Sequence, residues 1–244
     1  MAVSITALNE LRDANTTLIR AFESELRGLS ETILGSDPYA ARDALLEVAP
    51  TLSGVYSEQA AVAAAEWYEQ VRAKEVGGSY TARIAGVTAS NVVREDVRWV
   101  SRHLFSGSEA IVIPELSAAL SRKILYASNR TIGYNTLEVD QRSAGWQRIA
   151  RPNGCDFCVM LAARGAVYKR SGADFASHNN CRCRARPSWD DSLPEVDAKT
   201  YEASKRTSKM NDEQKSRHQK ALNEWMEDNK DSLESYRDSL RDLV

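Results

Sequence analysis

Four cysteines and one histidine with metal-ligand spacing dominate the chemistry that this chain can offer. The pattern is Cys155-x-x-Cys158, a gap of nineteen residues, and then His178-x-x-Cys181-x-Cys183. A Cys-x-x-Cys turn projects two sulfurs to the same side, so that both reach one ion at about 2.3 Å. On an extended strand, Cys181 and Cys183 share a face, because alternate side chains point the same way. The set predicts a tetrahedral metal site, and zinc is the ion that matches it best.

Five candidate ligands for four positions leave the composition of the zinc site open. An all-cysteine site and a site of three cysteines with His178 both agree with the spacing. The alternatives to zinc are two disulfides, unligated buried thiols and an iron–sulfur cluster. A thioredoxin-type redox pair is a further alternative, but no βαβ pattern precedes Cys155 to support it.

The acidic residues that a catalytic zinc needs are scarce around these cysteines. A catalytic zinc keeps an open water position and usually has a carboxylate base beside it. Glutamate is absent from residues 139–194, where Asp156 and Asp174 are the nearest acids, and the His-x-Glu of zinc deaminases is absent too. The zinc is therefore predicted to be structural, and no catalytic residue is assigned.

Basic residues surround the predicted zinc site and form a candidate contact surface. Such a patch binds a phosphate backbone through counterion release, or it binds an acidic protein surface. Solvated charge around a small fold explains it equally well. The candidate contacts are Arg164, Lys169, Arg170, Arg182, Arg184 and Arg186.

Short elements are expected to position the ligands within a module of residues 143–190, a small α+β zinc knuckle. Alternation of apolar and polar residues predicts strands, and the sequence PNG marks a turn. The predicted elements, in chain order, are a strand at 146–150, a turn at 152–154, a helix at 158–163 and strands at 167–168 and 181–185, with Pro187 closing the region.

Residues 1–142 are predicted to form a helical domain, so the fold class is mainly α. Apolar residues recur at three-, four- and seven-residue steps over residues 3–34. Asp37 is a good N-cap with Pro38 at the first helical position, and Pro50 is expected to interrupt the chain again. Further helices are predicted at 57–75, 89–105 and 109–137, with a connector at 79–86.

Residues 191–244 are predicted to form a charged helical tail. Few helix breakers occur between residues 197 and 243, where the first half is basic, the second half is acidic and the apolar stripe is thin. Helices with such a stripe gain most by docking into an assembly. The tail and residues 3–34 are therefore candidate contact surfaces, with a solvated tail as the alternative.

The composition is that of a soluble globular protein. Of 244 residues, 43% are hydrophobic and 27% charged, and the net charge of −2 means that any DNA contact must come from a local patch. No stretch is apolar enough to cross a bilayer, and the N-terminus lacks the pattern of a secretory signal. The expected folding compartment is a reducing cytoplasm, where paired cysteines are more often metal ligands than disulfides.

The region around the cysteines resembles a known family. The segments are GCDFCVMLAARGAVY at 154–168, HNNCRC at 178–183 and RPSW at 186–189, with a matching approach at 129–130 and 145–148. Over roughly residues 126–190 they resemble MuF-like head-morphogenesis proteins, in the form common in tailed phages of actinobacteria. The resemblance supports Cys155, Cys158, His178, Cys181 and Cys183 as the family's ligand positions.

The resemblance implies a minor structural protein of the phage head. Its expected place is the inner head or portal vertex of the virion, and the host cytoplasm during assembly. The implied partners are the portal protein, the major capsid protein and packaged DNA, with no membrane. The implied role is head assembly and DNA packaging or delivery.

Two other functions remain open. Relatives are fused to, or labelled as, a capsid maturation protease, although no further protease-sized domain, His-Glu-x-x-His or Gly-x-Ser-x-Gly is evident here. His103 is the histidine that would test this alternative. The third function is a zinc-stapled module that binds DNA.

Overall fold

The chain is mainly α-helical, as the sequence predicts. The computed structural model describes residues 3–35, 37–151, 153–163, 167–169, 175, 181–195 and 210–241. The chain folds as two units. The helical unit includes Val3–Asn135, and the knuckle unit includes Thr136–Ala173 and Arg182–Val244.

Four long helices build the helical unit. They are α1 (Ile5–Ile33), α2 (Pro38–Glu75), α3 (Ser90–Val100) and α4 (Val112–Tyr134). Two 3₁₀ turns, Ser101–Phe105 and Glu109–Ile111, join α3 to α4, and a π-helical turn, Asn135–Val139, follows α4. The helices predicted at 3–34 and 109–137 are thereby confirmed as α1 and α4. The helix predicted at 89–105 is α3 with the 3₁₀ turn that follows it, and the one predicted at 57–75 is the second half of the longer α2.

The start of α2 follows the predicted capping pattern, but its interior does not. The Asp37 carboxylate accepts hydrogen bonds from the backbone N–H groups of Tyr39 at 3.0 Å and Ala40 at 3.2 Å. The expectation that Pro50 interrupts the chain is wrong, because Pro50 is buried inside the continuous helix α2. Proline removes one backbone hydrogen bond there. Burial of the same stretch of α2, including Leu45 and Ala49, offsets that loss.

The core of the helical unit is formed by the apolar faces of all four helices. Phe22 of α1, Leu45 of α2, Val97 of α3 and Leu120 of α4 are each at most 1% exposed. Each fully buried side chain of this size contributes about 2 kcal/mol to stability. The three-to-four-residue periodicity that predicts the helices is therefore the pattern of this core.

Asn135 fixes the connector between α2 and α3. Its Oδ1 accepts from the Tyr80 hydroxyl at 3.1 Å and from the Arg83 N–H at 2.8 Å, while its Nδ2 donates to the Arg83 carbonyl at 2.7 Å. Because Asn135 is fully buried, these bonds satisfy polar groups that would otherwise lack water. They hold an extended segment against the end of α4.

The knuckle unit contains a two-stranded antiparallel sheet and a short helix. Strand β1 (Gly145–Ile149) pairs with β2 (Arg184–Ser188), and α5 spans Asp156–Ala163. Strand β2 begins three residues later than predicted, and Pro187 lies within it, opposite Trp146. In the described residues β2 pairs with β1 alone, so β2 is an edge strand, the position where proline is tolerated.

Two helices follow near the C-terminus, α6 (Asp212–Asp228) and α7 (Lys230–Arg241). A capping box between Asn211 and Gln214 starts α6, with hydrogen bonds of 2.9 Å in both directions. Helix α7 packs on α5. The predicted tail is helical over both segments, while residues 196–209 and 242–244 lie outside the described residues.

Candidate metal centre

The Cys155-x-x-Cys158 segment leads from a tight turn into the first turn of α5. The Gly154 N–H donates to the Arg151 carbonyl at 2.9 Å, which closes the turn. The Cys155 carbonyl then accepts from the Val159 N–H at 3.0 Å and so starts the helical hydrogen bonding. Cys158 therefore lies in the first turn of α5. It is 3% exposed, whereas Cys155 is exposed.

Three buried thiols converge beside this turn. Cys181 and Cys183 precede β2 and are 5% and 3% exposed. The sulfur atoms of Cys158, Cys181 and Cys183 all lie within 4.8 Å of one another. Two thiolates on one tetrahedral zinc are about 3.8 Å apart, given zinc–sulfur bonds of about 2.3 Å. The geometry therefore fits a metal held by three sulfurs, with small adjustments.

The structure brings together three of the five predicted ligands. The exposed Cys155 is not part of the group of three. His178 lies outside the described residues. The group consists of thiols alone, and such soft ligands favour zinc over the oxygen-preferring ions.

The two-stranded sheet is packed around Trp146. Its indole is 1% exposed and stacks on the Tyr168 ring, with centroids 4.0 Å apart and an angle of 15° between the planes. The two residues also exchange backbone hydrogen bonds, at 3.2 Å from Trp146 to Tyr168 and 2.8 Å in return. Tyr168 therefore extends the sheet on the side of β1 away from β2 and fixes the segment that follows α5.

Gly145 permits the close approach of residues 167–168 to the start of β1. Its φ is +137°, a conformation that L side chains rarely adopt. A Cβ atom at this position would lie 2.7 Å from the Tyr168 carbonyl oxygen and 3.2 Å from the Val167 Cβ. Only glycine allows β1 to begin here with residue 168 beside it.

The basic residues predicted as contacts differ in exposure. Arg184 is 8% exposed, so little of it can reach a phosphate, whereas Lys169, Arg182 and Arg186 are partly exposed. The Arg186 guanidinium donates to the Gln147 amide oxygen at 2.7 Å. Arg164 and Arg170 lie outside the described residues.

Sequence analysis missed two residues of α7 that reach this region. The Arg237 guanidinium donates to the Gly154 carbonyl at 3.1 Å. Burial raises the pKa of the Tyr236 hydroxyl, and so does the charge of Cys183, while the Ala150 backbone and Arg186 act in the opposite direction. The apolar stripe of the tail includes Tyr236, but nothing in the sequence says that it faces the cysteines.

His103, the histidine of the protease alternative, lies in the helical unit. Its Nε2 is 3.2 Å from the Glu115 carboxylate, which also pairs with Arg102 at 3.4 Å. Within the described part of the chain, the ring contacts this carboxylate and no serine hydroxyl. A serine protease needs that third contact.

Comparison with known proteins places the chain in a family. A family profile described as VG15 protein matches residues 2–208, well over half of the chain. The chain belongs to the VG15 protein family. This is a phage family, so the chain is a phage-related protein. Helices α6 and α7 lie beyond the matched residues. No curated protein and no solved structure matches the chain.

Among the described residues, no helix is both long and apolar enough to span a membrane.

Proposed function

We propose that this protein is a minor structural protein of a tailed-phage head, of the MuF-like type, with one zinc ion holding its knuckle unit together. The observation that carries the proposal is the group of three buried thiols in a chain of a phage family. The resemblance over residues 126–190 supplies the MuF-like assignment. It also supplies the expected location, at the inner head or portal vertex of the virion.

The zinc is proposed as structural because the knuckle unit has few other sources of stability. Its sheet has two strands of five residues each, and α5 has eight residues. A sheet of this size is marginal by itself, and small modules commonly use a metal to hold their fold. Cys158, Cys181 and Cys183 would hold the ion, with Cys155 or His178 as the fourth ligand.

The proposed partners are the portal protein and the major capsid protein. Aromatic side chains at the surface support a role in assembly, because interface cores are enriched in them. Trp99 of the helical unit is 67% exposed and Trp225 of α6 is 39% exposed. Packaged DNA is a further proposed contact, through Lys169, Arg182 and Arg186.

The test is co-expression with the portal protein encoded in the same phage genome, followed by purification through a tag on the portal. The expected result is that the protein co-purifies and carries about one zinc per chain. The control replaces the portal with that of an unrelated phage. A second arm expresses the chain with capsid and scaffolding proteins and isolates procapsids by sedimentation. A protein absent from both portal complexes and procapsids would contradict the proposal.

A further inference from the structure

Tyr236 of α7 brings a buried hydroxyl to the metal centre. The hydroxyl is shielded from solvent and no acceptor for its proton lies among the described residues, while the Ala150 backbone interacts with its oxygen. It is close enough to Cys183 and Arg186 for their charges to affect it. A buried donor without an acceptor is unfavourable and is rare in native proteins. An acceptor near Cys183 would therefore stabilise the Tyr236 hydroxyl.

The next residue, Arg237, binds the turn that precedes Cys155. Its guanidinium donates to the Gly154 carbonyl at 3.1 Å. Gly154 is the last residue of the turn that delivers Cys155 and Cys158. Two consecutive residues of α7 thus reach both cysteine-bearing segments, one near Cys183 and the other at the turn.

The rest of the tail shows that this docking is selective. Leu233 of α7 is 8% exposed, whereas none of the described side chains of α6 is buried, and Trp225 is 39% exposed. Since the family match ends at residue 208, α7 lies outside the matched part. The contact with the metal centre therefore involves residues beyond the matched part of the chain.

We infer that α7 covers the metal centre, and that zinc binding and α7 docking stabilise each other through Tyr236 and Arg237. Metal-bound sulfur carries more negative charge than a neutral thiol and accepts hydrogen bonds more strongly, so zinc would provide the acceptor that the Tyr236 hydroxyl lacks. Coupling of this kind is reciprocal, so whatever weakens docking must also weaken zinc retention. The inference rests on the proposed zinc site.

The experiment measures zinc release from the full-length, zinc-loaded protein to a chromogenic chelator in excess. Tyr236→Phe removes only the hydroxyl, and Arg237→Met removes the guanidinium but keeps the stem. Each is expected to speed zinc release about tenfold, which corresponds to one hydrogen bond to a charged group. Arg241→Met is the matched control, because Arg241 is on the same helix, is exposed, and pairs with Asp238. It should release zinc at the wild-type rate.

Amide hydrogen exchange gives an independent readout of docking. Residues 230–241 should be protected in the zinc-loaded protein, and Tyr236→Phe should reduce that protection while α1–α4 remain unchanged. A wild-type protein that takes up no zinc would overturn the proposed zinc site and this inference with it. A protein that holds zinc, but whose Tyr236→Phe and Arg237→Met variants match the wild type in release and in α7 protection, would overturn the inference alone.

Discussion

Three buried cysteines close to one another can form a disulfide, remain as thiols or bind a metal ion. A disulfide between any two of Cys158, Cys181 and Cys183 would leave the third as an odd thiol, whereas one metal ion uses all three. In a reducing cytoplasm the thiols also stay available as ligands. The odd number of converging sulfurs is therefore a better argument for a metal than the number of cysteines in the chain.

The first residue-scale prediction concerns Cys158. Cys158→Ser is expected to abolish zinc binding and unfold residues 145–188, because structural zinc supplies apparent binding energy on the order of 10 kcal/mol in small motifs. Elemental analysis should find about one zinc per wild-type chain. Amide exchange of the variant should show α1–α4 still protected. Two disulfides and no metal in the purified wild type would contradict it.

A comparison of Cys155→Ser with His178→Ala would identify the fourth ligand. The substitution that removes a ligand should weaken zinc binding strongly, while the other should change it little. Equal and negligible effects would mean that neither residue completes the site.

The second prediction concerns Gly145. Gly145→Ala should destabilise the knuckle unit by at least about 2 kcal/mol, since the added methyl combines a strained backbone with a contact of 2.7 Å to a backbone oxygen. Gly28→Ala, where nothing lies within 4 Å of the added Cβ, is the matched control and is expected to be neutral or mildly stabilising. Denaturant unfolding of both variants is the measurement, and equal midpoints would contradict the role assigned to Gly145.

At the scale of elements, an ion pair joins α3 to α4. Lys123 Nζ lies 2.7 Å from the Asp96 carboxylate, and the two side chains are 8% and 23% exposed. Burying a lone ammonium is costly, so the pair matters mainly through the damage done when one partner is lost.

Asp96→Ala is expected to destabilise the helical unit by about 3 kcal/mol, because Lys123 is left buried without its partner. Adding Lys123→Met should recover most of that loss, since the double variant buries no charge. Thermal unfolding followed by circular dichroism gives both values. A double variant less stable than Asp96→Ala would show that Lys123 contributes through other contacts.

Elements with strong local signals were predictable, and those set by tertiary packing were not. Asp37 and the apolar periodicity place α1 and α2 within a few residues. Pro50 gives a wrong local prediction of a helix end, because the burial of the surrounding residues keeps α2 continuous. The later start of β2 depends on pairing with β1, and the contact of α7 with the thiols depends on folding between distant segments. Spacing alone predicts neither.

At the scale of the whole molecule, the two units differ in the features that they contain. The helical unit has its own apolar core and extended helical surfaces, and the knuckle unit includes Cys158, Cys183 and the C-terminal helices. Among the described residues, no carboxylate belongs to the thiol group, and a metal-dependent hydrolase usually has one beside its metal.

The final prediction is that the purified protein has no proteolytic activity of its own. Incubated alone with the major capsid or scaffolding protein of the same phage, it should leave both intact, because His103 contacts Glu115 rather than a serine nucleophile. Electrophoresis and intact-mass spectrometry would detect cleavage, and His103→Ala should be indistinguishable from the wild type. Cleavage that His103→Ala abolishes would replace the structural proposal with a protease. The absence of cleavage, together with incorporation into procapsids, leaves assembly as the function that both units serve.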